Sequence, residues 1–153
     1  MWNLRRDVPI LVRLLLWGVV AAALLVVSGC GTAGGGKGPA AGSTSLQVSV
    51  RDFHIKAPEH VSTGDVVLSV RNKGPERHEL IVVRLGRNRL PLRRDGLTID
   101  EEELEPVKIG GLEPFLPGAV RKLRLHLAPG RYVLFCNMYG HYLGGMHAEL
   151  VVS

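Results

Sequence analysis

Residues Phe135 to Met146 limit the possible folds of this chain more than any other stretch. Cys136, His141 and Met146 stand there in a C-x4-H-x4-M spacing, with Gly140, Gly144 and Gly145 interspersed. Cys136 closes an alternating run in phase with Tyr132 and Leu134. Met146 opens another, in phase with Ala148, Leu150 and Val152. Successive side chains of a strand alternate in direction. Cys136 and Met146 therefore point to the same interior end of two strands, and the residues between them form one loop that glycine allows to curl tightly.

The remaining pattern is also one of strands. Leu46, Val48 and Val50 alternate with polar residues. Phe53 and Ile55 continue on a shifted phase, which a β-bulge near Asp52 would explain. Val66, Leu68 and Val70 alternate, as do Leu123, Leu125 and Leu127. Leu80 to Val83 is a nearly continuous apolar run led by His78. Turn residues punctuate these runs at Ser62–Asp65, Asn72–Pro75, Pro117-Gly118 and Pro129-Gly130. Short strands at this spacing predict an all-β sandwich. Residues 86–117 break the pattern with Pro91, Pro106, Pro114 and the acidic run Asp100 to Glu103. They read as a long, partly helical insertion between core strands, its helix capped by Thr98 or Asp100.

His78 falls inward with Leu80 and Val82, so it can join the three residues of the loop. Two imidazoles, a thiolate and a weak thioether are the ligand set of a trigonal electron-transfer copper site. One copper ion held by His78, Cys136, His141 and Met146 is the expectation, with Met138 the competing thioether. His54, His60, His126 and His147 fall at polar phases or in turns and read as solvated.

The stretches Asn72-Lys73-Gly74, His78-Glu79-Leu80, Pro129 to Tyr132, Cys136-Asn137 and Gly140 to His147 resemble the cupredoxins, in particular small bacterial copper-binding members with an acidic insertion. The resemblance covers residues 46–152. It implies a Greek-key β-sandwich and type 1 copper, with His78, Cys136 and His141 as equatorial ligands and Met146 axial. It also implies that the backbone N–H of Glu79 donates to the cysteine sulfur.

The N-terminus sets the address. Arg5 and Arg6 precede an apolar run from Leu11 to Val27, the form of a secretory signal, and the run is marginal for a spanning helix. Val27-Ser28-Gly29-Cys30 resembles a bacterial lipobox, which implies removal of a signal peptide at residues 1–29 and lipidation of Cys30. An uncleaved anchor is the alternative. Residues 30–45 are rich in Gly, Ala, Ser and Thr and read as a flexible tether, leaving 46–153 as the copper-binding domain. The expected location is extracytoplasmic: lipid-anchored on the outer face of the cytoplasmic membrane, or in the periplasm. With Cys30 lipidated, Cys136 has no disulfide partner, and a lone thiol in an oxidising compartment points again to a metal.

The chain carries 19 Lys+Arg against 14 Asp+Glu, a net +5. The excess is mild and scattered and aromatics are few, which argues against nucleic-acid binding. A multicopper enzyme needs further His-x-His ligand pairs, and a binuclear centre a second site cysteine; neither is present. The expected function is a monomeric one-electron carrier serving redox partner proteins of the cytochrome or oxidase type. The alternative is a copper-delivery or copper-homeostasis protein that meets copper-handling partners.

Overall fold

The alternating runs pair into two sheets that bury their apolar phases against each other. The computed structural model describes residues 42–86 and 89–153, all within the compact unit Lys37–Ser153. One sheet has the order β2-β1-β4-β7, formed by His54–Lys56, Thr44–Arg51, Gly64–Asn72 and Val120–Leu127. The other has the order β3-β9-β8-β5-β6, formed by His60–Val61, His147–Val152, Gly130–Phe135, His78–Arg84 and Lys108–Phe115. Both are mixed: β1 runs parallel to β4 and β3 parallel to β9, while the other pairs are antiparallel. This is the expected all-β sandwich of Greek-key type, the chain passing repeatedly from one sheet to the other. Among the described residues no helix is long and apolar enough to cross a membrane.

The main core lies between the sheets. Val48, Val50, Leu68, Val70 and Leu127 face Leu80, Val82, Tyr132, Leu134 and Leu150, all buried. A second cluster covers the outer face of the β5–β8 pair: Ile81, Val83, Val133 and Phe135 pack beneath Ile99 and Leu104. This explains the unbroken apolar run Leu80 to Val83. A strand covered on both faces has no polar phase.

Three expectations are corrected. The phase shift after Val50 is not a bulge. β1 and β2 form a hairpin through the two residues Asp52 and Phe53, with Phe53 at a positive φ of 56°. The tether ends earlier than expected, because Thr44 and Ser45 already pair with Val66 and Val67. The insertion is neither strandless nor substantially helical. Its C-terminal part contains β6, paired with β5, and its helix α1 is the single turn Glu101–Leu104. Asp100, one of the two expected caps, accepts from the Glu102 N–H at 3.2 Å. β6 escapes a sequence reading because Gly110, Gly111 and Pro114 are poor strand formers. Proline is tolerated because β6 is an edge strand. The glycines allow close approach: a Cβ on Gly110 would lie 2.6 Å from Leu125 Cδ2, and one on Gly111 3.0 Å from the Leu80 carbonyl oxygen.

Candidate metal centre

Four elements converge at one end of the sandwich. Cys136 directly follows β8, and its N–H donates to the Met146 carbonyl at 3.2 Å, which closes the loop at its base. Inside the loop His141 N–H donates to Met138 O and Met146 N–H to His141 O, both at 2.9 Å. Gly140 and Gly145 take positive φ of 76° and 103°, backbone that other residues enter only with strain. The loop thus turns inward and carries His141 back over Cys136. His141 Nδ1 lies 3.5 Å from Cys136 Sγ. Met146, fully buried before β9, packs in the same core cluster as Cys136.

His78, the first residue of β5, enters from the opposite side. Its ring is 5.2 Å from that of His141, centroid to centroid. The ligand atoms of His78, Cys136 and His141 all lie within 4.8 Å of one another. Among the described residues this is the one His/Cys/Asp/Glu group so arranged with all members buried. His78 Nδ1 is buried and has no hydrogen-bond partner, whereas its Nε2 bonds Asp52 Oδ1 at 2.9 Å. An orphaned buried ring nitrogen is costly unless something binds it. A cation held there with the Cys136 sulfur and His141 Nδ1 would satisfy it.

The protonation chemistry suits such an ion. Burial holds the His78 pKa below the ordinary imidazole value, outweighing the opposing bond to Asp52, which favours the neutral, metal-binding form of the ring. Burial pushes the Cys136 thiol above its ordinary value. The backbone N–H groups of Met138 and Glu79 bond the sulfur and pull in the opposite direction, favouring thiolate. The Glu79 donor is the one that the cupredoxin resemblance implies. Two imidazoles, a thiolate and a neighbouring thioether fit copper better than zinc, whose closed sites draw on Cys, His and carboxylates rather than Met.

The structure gathers His78, Cys136 and His141, with Met146 in the same core cluster as Cys136; sequence reasoning missed what supports them. Asp52 backs His78. Phe53 packs edge-on against the His141 ring at 5.4 Å and crowds Gly144, where an added Cβ would collide with the Phe53 ring. Glu76 Oε2 approaches His141 Nε2 at 3.5 Å. The phase break at Asp52 was the one available signal for the first two. Met138 gives its backbone N–H to the sulfur and packs beside the core. His54, His60, His126 and His147 are exposed, and His126 bonds Asp65 at 2.8 Å. Cys30 and the segment proposed as its signal and tether lie outside the described residues, apart from 42–45.

No protein-family profile matches the chain, and no curated protein matches it in sequence. Solved structures do. A reduced auracyanin from Roseiflexus castenholzii aligns with a TM-score of 0.54 and 18% identity, over 72% of this chain and 97% of that one. Auracyanin A from Chloroflexus aurantiacus, described as a "blue" copper protein, aligns at 0.53 and 16%, over 73% and 100%. Rusticyanin from Thiobacillus ferrooxidans aligns at 0.55 and 14%, over 72% and 77%. The chain has a cupredoxin fold. Within that fold the buried His-Cys-His group lies at the end of the sandwich where the β8–β9 loop closes over β5, and the acidic insertion packs on the outer face of the second sheet.

Proposed function

We propose that this cupredoxin-fold domain holds one copper ion through His78, Cys136, His141 and Met146 and serves as a one-electron carrier rather than an enzyme. The observation that carries the proposal is the unpartnered, buried His78 Nδ1, gathered with the Cys136 sulfur and His141 Nδ1 within 4.8 Å. When bound, copper would supply a one-electron couple. The chain's own residues keep the pocket dry and fixed. His78, Cys136 and Met146 are fully buried, and His141 is 7% exposed. The Cys136–Met146 loop is tied by its internal hydrogen bonds and by Gly140 N–H donating to Leu97 O at 3.2 Å. A pocket whose ligands need not move favours fast electron exchange and retention of the ion. That supports the carrier reading over copper delivery.

The proposal extends to place. Cleavage before Cys30 and lipidation of its sulfur would tether a monomeric domain to the outer face of a membrane, where cytochrome or oxidase partners could reach it. The Val27 to Cys30 sequence and the small-residue tether support this reading. Mass spectrometry of the mature protein would show a diacylglycerol adduct on an N-terminal Cys30, and an unmodified Cys30 would reject the anchor.

Loading the purified protein with Cu(II) tests the core of the proposal. One equivalent should bind with strong visible thiolate-to-copper absorption, cycle reversibly in voltammetry, and stay bound when a Cu(I) chelator is added in modest excess. Rapid surrender to the chelator would favour delivery instead. Absence of the band would reject the copper site.

A further inference from the structure

The two residues of the β1–β2 turn each touch a different imidazole of the site. Asp52 Oδ1 bonds His78 Nε2 at 2.9 Å, and the Phe53 ring packs edge-on against His141. Phe53 holds a φ of 56°, unusual for a bulky residue, so surrounding contacts hold this turn in place. Those contacts are visible. Lys73 N–H donates to Val50 O at 2.7 Å, pressing the segment before His78 against the end of β1. Buried Asn72 locks that segment by bonding Glu76 O, Phe115 O and the Gly74 N–H. A Cβ at position 74 would stand 2.7 Å from Asp52 Oδ1 and 2.9 Å from His78 Nε2, so the pair forms only because residue 74 is glycine.

We propose that Asp52 is a positioning residue of the metal centre: its carboxylate holds the proton of His78 on Nε2, aims Nδ1 at the site, and biases a bound copper toward Cu(II). The inference rests on the copper reading of the site. Its physical basis is the general behaviour of a carboxylate behind a metal-binding histidine, which fixes tautomer and ring orientation and makes the ligand nitrogen more basic. A negative charge one ring away from the ion also favours the higher oxidation state. The Asp52 side chain is 32% exposed, so solvent screens that charge in part but not fully. The His78 ring is fully buried and has no other partner at Nε2, so no water replaces the carboxylate without rearrangement.

Two variants separate orientation from charge. Asp52→Asn keeps an acceptor oxygen and removes the charge; Asp52→Leu removes both. The first readout needs no copper. In nitrogen-15 spectra of the metal-free protein, wild type and Asp52→Asn should show His78 protonated on Nε2, and Asp52→Leu should show a mixture of tautomers. The second readout is the midpoint potential. Both variants should shift the Cu(II):Cu(I) preference about tenfold toward Cu(I), a rise of about 59 mV for a one-electron couple. The third is Zn(II) affinity, which should fall about 10–100-fold in Asp52→Leu. A wild-type His78 protonated on Nδ1, or an unchanged tautomer in Asp52→Leu, overturns the positioning role. A preference that moves less than twofold in Asp52→Asn overturns the charge role. If Asp52→Leu does not fold, the wild-type spectrum and the Asp52→Asn potential decide. A wild type that takes up no copper rejects the proposed function, while the metal-free spectra still test the His78–Asp52 pair.

Discussion

Asn137 and Ile99 are joined at both ends of the Asn137 amide: its Nδ2 donates to Ile99 O at 3.0 Å, and the Ile99 N–H donates to its Oδ1 at 2.5 Å. The same Nδ2 reaches Glu101 Oε1 at 3.0 Å, and the Asn137 N–H donates to Glu79 Oε1 at 2.9 Å. The residue following the proposed thiolate ligand is thereby the pin between the acidic insertion and the β8–β9 loop. Ile99 itself is fully buried in the second core, so the pin sets where the insertion seats.

Asn137→Ala should therefore loosen insertion and loop together. It removes both side-chain bonds to Ile99 and leaves partly buried backbone groups unpaired, a loss of about 1–3 kcal/mol. Denaturant midpoints of the metal-free protein would measure it. Hydrogen exchange should speed up at the amides of Ile99 and Gly140, which bond across this junction, and stay unchanged in β4. Equal acceleration throughout the domain would mean that Asn137 is only a global stabiliser.

The ligand roles make separable spectroscopic predictions. Cys136→Ser should lose the intense visible band, because thiolate-to-copper charge transfer needs the sulfur; retained colour would reject the assignment. Met146→Gln should still bind copper, but at a lower potential and with an altered spectrum, because the axial ligand tunes such a site more than it holds the ion. Complete loss of copper in Met146→Gln would assign Met146 a different role.

What the sequence made legible follows from distance along the chain. Cys136, His141 and Met146 lie in one loop, so their spacing alone reveals a shared site, and His78 declares itself by leading a buried strand. The support is hidden because it comes from elsewhere. Asp52 meets His78 across 26 positions, and Asn137 meets Ile99 across 38. No local periodicity encodes such meetings. The phase break at Asp52 was visible but has two explanations, a bulge or a hairpin turn, and pairing with His54–Lys56 decides between them. β6 was illegible for a different reason. Gly110 and Gly111 weaken the strand signal, yet the close approach of Leu125 and of the Leu80 carbonyl requires residues without side chains there. The cover that β5 receives from Ile99 and Leu104 could be inferred only as an unexplained apolar run.

Glu79 gives a pH prediction for the metal-free protein. Burial raises its pKa above the ordinary carboxylate value, and the nearby Glu101 adds to the rise, against the opposing bond from the Asn137 N–H. The folded state thus binds this proton more tightly than the unfolded chain, so the group costs stability as pH climbs through its raised pKa. The penalty is absent below the unfolded pKa and complete above the folded one. Denaturant titrations between about pH 4 and 8 should show wild type losing stability relative to Glu79→Gln as pH rises. Parallel pH profiles for the two proteins would show that Glu79 ionises in the fold as it does in the unfolded chain.

The last prediction concerns where electrons would cross the surface. His141 turns Nδ1 toward the Cys136 sulfur and Nε2 toward Glu76 at the rim. Phe53 lies edge-on against the ring, and Tyr139 and Leu143 flank His141 in the same loop; the three are exposed at 53%, 72% and 50%, large apolar side chains that a partner can cover at little desolvation cost. The acidic run offers no comparable surface. Glu101 is engaged by Lys108 at 3.2 Å and by Asn137, which leaves Glu102 and Glu103 as its solvated charges. Contacts between redox proteins are small and transient, so a charge inside one weighs heavily, whereas charges outside it act through salt-dependent encounter. Leu143→Glu should slow electron self-exchange by roughly tenfold or more at high salt, since an uncompensated charge in a closed contact costs at least about 1.4 kcal/mol. Glu102→Gln with Glu103→Gln should alter the rate only at low ionic strength, where the Debye length exceeds about 10 Å. Stopped-flow or NMR line-broadening measurements across a salt series would separate the two. A larger effect of the double glutamine variant at high salt, or none from Leu143→Glu, would move the exchange surface from the His141 edge to the insertion.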